Sequence, residues 1–259
     1  MNNLKDKVSL ITGAGRGIGK GIAVAMAKAG SSVVLVSRSQ SELEDTAKII
    51  INEGGIALAI KTDICSEKQV NIMIEKALDK FGKIDILINN AGQYLEKPIL
   101  DTTLEDWEKI MGANLKGMFL CTKAVLKGMV ERKSGTMINF SSIGGSIGLR
   151  GKSVYSASKF GVVGFSKSLA KELKPYNIKV HIIYPYMVDS KPLHSSSLKG
   201  EGTSSASSPL WGEGKGEGEF NSLYINKVED IADLVVYLAS LPLRVNIEDI
   251  IVEPYLRKL

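Results

Sequence analysis

Short, nearly continuous apolar runs alternate with longer amphipathic stretches along most of the chain. The runs lie at 7–12, 32–37, 56–61, 84–88, 136–140 and 178–184 and are rich in Val and Ile. Continuous rather than alternating apolar character predicts strands covered on both faces. Between them, the patterns at 18–29, 41–52, 68–81, 104–130 and 154–173 predict helices. A further helix at about 228–240 precedes a last strand near 247–253. Strand–helix alternation of this kind predicts the α/β class: a single Rossmann-like, doubly wound parallel sheet of about seven strands flanked by helices. Residues 1–259 then form one domain, and ligands belong at the carboxyl ends of its strands.

One segment breaks the alternation. Residues 195–220 are rich in Ser, Gly and Glu and include the run Gly212-Glu213-Gly214-Lys215-Gly216-Glu217-Gly218. Such a composition buries too little apolar area to offset the entropy of ordering. We expect a low-complexity insertion that is poorly ordered without ligand. Its bulky apolar residues, with one neighbour, are Leu193, Leu198, Leu210, Trp211 and Phe220.

Composition narrows the classes without choosing among them. Of 259 residues, 44% are hydrophobic and 24% charged, enough apolar material for a full core. The net charge of +5 is mild, and Lys and Arg are interleaved with acids rather than gathered in a stripe. Nucleic acid is therefore not an expected partner, whereas an anionic cofactor or substrate suits the excess. Cys65 and Cys121 have no neighbours at metal-ligand spacing, so no metal site is expected and both read as reduced thiols. The polar start, Met1 to Asp6, lacks a signal-peptide layout, and no apolar run is long enough to span a bilayer. The expectation is a soluble cytoplasmic protein with no membrane partner.

The first strand leads into Thr12-Gly13-Ala14-Gly15-Arg16-Gly17-Ile18-Gly19, which opens the first helix. Glycines allow a tight turn and a close backbone approach to a pyrophosphate, and the helix N-terminus adds its positive end. In this strand–turn–helix setting Gly13, Gly15, Arg16, Gly17, Ile18 and Gly19 are candidate cofactor ligands. An NAD site usually has an acid at the end of the second strand; this chain has Ser37 followed by Arg38. Arg38 and Arg16 would converge on a 2′-phosphate, whose oxygens suit a planar guanidinium fork. The missing acid favours NADP(H) over NAD(H). Asp63, after the third strand, either accepts from the adenine amino group or caps the following helix.

Tyr155 and Lys159 are four apart in Tyr155-Ser156-Ala157-Ser158-Lys159, which places them on one helix face. A free phenol titrates at about 10, and a nearby ammonium favours the phenolate. Such a tyrosine exchanges a proton with a carbonyl or alcohol oxygen. Ser142, just past the fifth strand, either holds the substrate oxygen beside it or caps its own loop.

These motifs together resemble the short-chain dehydrogenases/reductases, and within them the 3-oxoacyl-[acyl-carrier-protein] reductase-like branch. They are Thr12–Gly19, Asn89-Asn90-Ala91-Gly92, Asn114 in Asn114-Leu115-Lys116-Gly117, Ser142, and Tyr155 with Lys159. The resemblance covers about residues 4–190 and 226–253. It implies a hydride transfer between nicotinamide and a carbonyl or secondary alcohol, with an acyl-carrier-protein-linked 3-oxoacyl thioester as the leading named substrate. It implies that Tyr155 is the general acid or base, that Lys159 lowers its pKa and binds the nicotinamide ribose, and that Ser142 orients the carbonyl. Asn114 is implied to hold a water linking Lys159 to solvent, and Asn89 to serve the central sheet and cofactor site. Further cofactor contacts are implied at Ile64, Asn90, Ala91, Gly92, Pro185, Val188 and Ser190. It also implies a homotetramer (or homodimer) through the two long helices and the last strand, with Gly112, Gly117, Gly161 and Gly164 allowing close helix approach; the other reading of these glycines is packing within the chain.

The chain departs from the family pattern where Tyr186 replaces a Gly, which matters if that site needs positive φ. It departs again at the 195–220 insertion, which lies where relatives cover the substrate, and at Ile250–Tyr255, where an Asp-Gly-Gly is common. The competing reading is a catalytically weak homologue that keeps the fold and binds nucleotide. The presence of Asn114, Ser142, Tyr155 and Lys159 together favours the enzyme.

Overall fold

Five-residue β1 (Val8–Thr12) is buried at every position, as its unbroken apolar pattern requires. The computed structural model describes residues 4–189 and 225–254. In chain order β1 is followed by α1 (Gly17–Lys28), β2 (Ser32–Ser37), α2 (Gln40–Asn52), β3 (Ala57–Lys61), α3 (Glu67–Phe81) and β4 (Ile86–Asn89). Then come α4 (Leu104–Met111), α5 (Gly117–Arg132), β5 (Gly135–Phe140), α6 (Ser153–Leu173), β6 (Ile178–Pro185), β7 (Val188–Asp189), β8 (Asn226–Lys227), α7 (Val228–Ser240) and β9 (Asp249–Val252).

Seven strands form one sheet in the order β3-β2-β1-β4-β5-β6-β9, every pairing parallel. The order reverses between β1 and β4, which opens a crevice at their carboxyl ends. β7 and β8 pair separately as a two-residue parallel ribbon. The strands alternate between two apolar layers. Val34, Val36, Leu87 and Met137 face α3, α5 and α6, whereas Val33, Leu35, Ile86 and Ile138 face α1, α2 and α7. Full burial of such side chains stabilises by roughly 1.5–3 kcal/mol each. The sheet expected from the sequence is therefore present, seven strands included.

The predicted continuous helix at 104–130 is interrupted. Residues Gly112–Lys116 wind as a π turn, closed by the Gly117 N–H donating to the Gly112 carbonyl five residues back. The interruption has tertiary causes. Gly117 sits against Ile64, where an added Cβ would meet Ile64 Cδ1 at 2.6 Å, and Asn114 is drawn to partners outside the helix. Gly161 likewise touches Leu115, at 2.8 Å from an added Cβ. Both glycines meet side chains of their own chain, as the packing reading of these positions expects. Gly112 has Cys65 Sγ at 3.6 Å, and only Gly164 of the four faces open space.

The concern over Tyr186 is removed. Among the described residues, non-glycine positive φ occurs at Asp6, Lys133 and Asn177 alone. Tyr186 instead has an N–H donating to the Val252 carbonyl at 2.9 Å, which extends the β6–β9 edge. Ser190 and the whole 195–220 segment, with Leu193, Leu198, Leu210, Trp211 and Phe220, lie outside the described residues.

Candidate active site and nucleotide cleft

The turn between β1 and α1 is shaped by glycines with no room for a side chain. Gly13 and Gly17 have φ of +71° and +53°. A Cβ on Gly19 would stand 2.1 Å from the Gly13 carbonyl oxygen, and one on Gly13 would stand 2.8 Å from Asn90 Nδ2. β4 is tied to this turn. Asn90 Nδ2 donates to the Thr12 carbonyl at 3.0 Å, and the N–H groups of Asn90 and Ala91 both donate to Thr12 Oγ1 at 3.1 Å. The N-terminus of α1 has no side-chain cap and no acid in its first turn. Uncapped N–H groups at a positive helix end, faced by glycine, suit a pyrophosphate.

A long cleft runs from this turn across the sheet edge. Its lining includes Gly13, Gly15 to Gly19, Ser37, Arg38, Asp63, Ile64 and Asn90 to Gly92. Arg16 and Arg38 are both exposed there. Ser37 Oγ accepts from the Ser39 N–H at 3.2 Å. Asp63 does not cap α3, as one reading held. That cap is Ser66, whose hydroxyl accepts from the Gln69 N–H, while Asp63 Oδ1 accepts from the Cys65 N–H at 3.0 Å. Glu42 also lines the cleft and was not foreseen. Its Cβ would be 2.8 Å from a Cβ on Gly15, which in turn would stand 3.2 Å from Ser37 Oγ.

Asn114, Ser142, Tyr155, Lys159, Pro185 and Val188 are not part of that lining. Gly92 joins the cleft to the first of them: a Cβ there would be 3.1 Å from Asn114 Oδ1 and 3.5 Å from Lys159 Nζ. Lys159 is buried and donates to the Phe140 carbonyl at 2.9 Å. Burial pulls its ammonium down to about 8. Its Nζ lies 5.9 Å from the Tyr155 ring centroid. Tyr155 is half-buried, and its phenol lies close to the Ser142 hydroxyl. Burial raises its pKa above the ordinary value and the Ser142 hydroxyl opposes that rise. Loss of solvent is the dominant influence on the Tyr155 phenol in this geometry.

Ser142 takes the capping part of its two expected readings and lies beside Tyr155. It caps the short turn after β5 by accepting from the Gly144 N–H at 3.2 Å, and it contacts Tyr155. Asn114 is committed to protein partners. Its Oδ1 accepts from the Gln93 N–H at 2.7 Å, and its Nδ2 donates to the Gln93 carbonyl at 3.0 Å and to Ser158 Oγ at 2.9 Å. Ser158 in turn donates to the carbonyl of Tyr155 at 2.7 Å. Asn89, at the end of β4, donates to Asn139 Oδ1 at 2.9 Å inside the sheet. Pro185 ends β6, and Val188 pairs with Asn226. Among the described residues no group of His, Cys, Asp and Glu is placed to hold a metal, and no helix is long and apolar enough to cross a membrane.

The family model for short chain dehydrogenase matches residues 7–200. A 3-oxoacyl-[acyl-carrier-protein] reductase of Synechocystis is 44% identical over 187 residues, 71% of this chain and 75% of its own length. An oxidoreductase of Staphylococcus aureus described as uncharacterized is 33% identical over 256 residues, covering 98% of this chain and all of the relative. Among solved structures, a metagenomic short-chain oxidoreductase in complex with NADP superposes with a TM-score of 0.80 at 27% identity, covering 98% of this chain and 99% of that one.

Proposed function

The chain belongs to the short-chain dehydrogenase family, and from that premise we propose that it is an NADP(H)-dependent oxidoreductase interconverting a carbonyl and a secondary alcohol. One observation carries the reading. Tyr155 lies beside Ser142 with its ring centroid 5.9 Å from the buried Lys159 ammonium, at the place where Gly92 joins the nucleotide cleft. The cofactor supplies or accepts the hydride; the residues bind, orient and move the proton.

The glycine turn and the uncapped start of α1 would hold the pyrophosphate, and Arg16 and Arg38 the 2′-phosphate. The Tyr155 and Ser142 hydroxyls would both address the substrate oxygen. A phenol, whose ordinary pKa is about 10, is protonated at neutral pH, as a proton donor in reduction must be. The Lys159 ammonium favours the phenolate as that proton leaves. Asn114 acts at one remove, through Ser158 on the Tyr155 carbonyl and through both backbone groups of Gln93.

The Synechocystis relative makes a 3-oxoacyl thioester the leading substrate candidate. We place the protein in the cytoplasm as one domain. We also propose a homotetramer, because Trp107, Phe119 and Phe160 on α4 to α6 and Tyr237 on α7 are 42–45% exposed. Light scattering that returned a monomer would remove the assembly. For the activity, NADPH oxidation with ethyl acetoacetate should fall by about 10²–10⁴-fold in Tyr155→Phe. Near-wild-type turnover in that variant would end the assignment. Tighter binding of NADH than of NADPH would overturn the cofactor preference alone.

A further inference from the structure

The loop after β4 carries a charge cluster that hydride transfer does not call upon. Lys152, the residue before α6 and three before Tyr155, has a side chain with 0% exposure. Its Nζ is buried with no hydrogen-bond partner. Its counter-charge is Glu96 Oε2 at 3.4 Å, on a side chain that is 40% exposed. The same carboxylate accepts from the Tyr94 hydroxyl, which with Lys152 holds Glu96 below the usual carboxylate range. Lys152 Nζ is 5.1 Å from the Tyr94 ring centroid. That ring packs edge to face on Tyr155, with centroids 5.1 Å apart.

The loop is anchored on three sides. The Lys97 N–H donates to the Gly151 carbonyl at 2.7 Å, Lys97 Nζ pairs with Asp106 at 2.7 Å, and Gln93 is clamped by Asn114. Lys152 is therefore not needed to hold the loop. A buried ammonium costs several kcal/mol unless it is well paired. One carboxylate at 3.4 Å and one ring face are thin compensation. An apolar side chain of similar volume would pack there without that cost. The cation has one chemically active neighbour, Tyr155, reached through Tyr94.

We infer that Lys152 and Glu96 are an electrostatic positioning pair for Tyr155: the Lys152 ammonium favours the Tyr155 phenolate, and Glu96 sets how much of that charge Tyr155 experiences. The inference rests on Tyr155 being the proton-transfer residue. Among the described residues, the charged and titratable groups around Tyr155 are Lys159 on α6, Lys152 before it, and Tyr94 and Glu96 on the loop after β4. Ser142, after β5, adds a neutral hydroxyl. Tyr155 thus has one buried ammonium, Lys159, 5.9 Å from its ring and a second, Lys152, on the far side of the Tyr94 ring, the second carrying an adjustable counter-charge.

The two partners make opposite predictions. Removing the cation disfavours the phenolate, so Lys152→Met raises the Tyr155 midpoint. Removing the carboxylate strengthens the cation, so Glu96→Gln lowers it. A purely structural pair would shift Tyr155 in one direction whichever partner was lost. Tyrosinate absorbance of the full chain, followed between about pH 7 and 12, reads this directly, without substrate or cofactor. Each variant is compared with the same protein carrying Tyr155→Phe, so that the difference isolates Tyr155. We expect a rise of about half a unit to one unit for Lys152→Met and a fall of about half a unit for Glu96→Gln. Shifts of the same sign, or both below about 0.2 units, overturn the inference. If Lys152→Met does not fold, Glu96→Gln decides: a lowered midpoint supports the pair, and an unchanged or raised one refutes it. Separately, activity retained by Tyr155→Phe would sink the functional reading while leaving the titration interpretable.

Discussion

Arg16 and Arg38 stand exposed on the cleft lining together with the partly buried Glu42, whereas Lys159, beyond Gly92 and outside that lining, is 6% exposed and hydrogen-bonded to a strand carbonyl. The two ends obey different electrostatics. In solvent, charges act weakly and singly, so the adenosine end can be altered without disturbing the fold. In the buried end each charge is strained by desolvation and coupled to neighbours on other elements. Under the proposed function, specificity belongs to the first end, and chemistry, together with its stability cost, to the second.

Lys159→Met sharpens this contrast most. It should reduce turnover by at least ~10²-fold while leaving the melting temperature of the cofactor-free protein unchanged or higher. The folded-state pKa of Lys159 lies near 8, below its unfolded value, so the folded state resists protonation. Its contribution is fully present above the unfolded pKa and is lost as pH falls through about 8. A drop of several degrees in melting temperature in this variant would contradict the picture of a strained cation. At the other end, Arg38→Ala should weaken NADPH binding by about 10-fold with NADH unchanged, at constant stability. Glu42→Gln should strengthen NADPH binding a few-fold, because a carboxylate near Ser37 repels a 2′-phosphate; equal effects on NADH and NADPH would break the assignment.

The smallest expected effect lies away from the cleft. His181 is fully buried in β6, hydrogen-bonded through Nδ1 to the Ile247 carbonyl, with Nε2 lacking a partner. Burial depresses its pKa. Its contribution is present above the unfolded value of about 6.5 and is lost as pH falls through the folded value. His181→Gln should flatten the acid side of the stability–pH curve by a fraction of the wild-type slope. An unchanged slope in chemical denaturation below about pH 6 would remove His181 as its source.

What could be read from the sequence was local. The turn from Thr12 to Gly19 is legible because it follows a strand and opens a helix, and the pair Tyr155 and Lys159 because its four-residue spacing joins the other motifs in order; glycine sterics and helix periodicity both act over a few residues. The strands at β1 and β2 did so by composition, being covered on both sides. The missed features all depend on distant segments meeting. Glu42 reaches the Gly15 turn because α2 packs on it, with Thr46 Oγ1 donating to the Ala14 carbonyl at 3.2 Å. Lys152 acquires meaning only when residues 94–97 fold over Gly151. Asn114 was found as a motif, but its partners Gln93 and Ser158 lie 21 and 44 residues away. The π turn was hidden because Gly112, Asn114 and Gly117 weaken a helix without saying how it is interrupted, and the deciding contacts are tertiary.

That turn divides one long helix into two reading frames. An α-helix advances about 100° per residue, so the extra residue in the i→i+5 turn rotates everything after it by about that angle. Upstream, Leu104 and Trp107 are directed outward; downstream, Cys121, Val125 and Met129 are aimed into the sheet layer. Deleting a single residue from Gly112–Lys116 would restore one frame throughout and turn that buried row away from the core. Asn114 sits at the seam between the frames, so its reach to Gln93 and Ser158 and the seating of α5 are set by the same inserted residue.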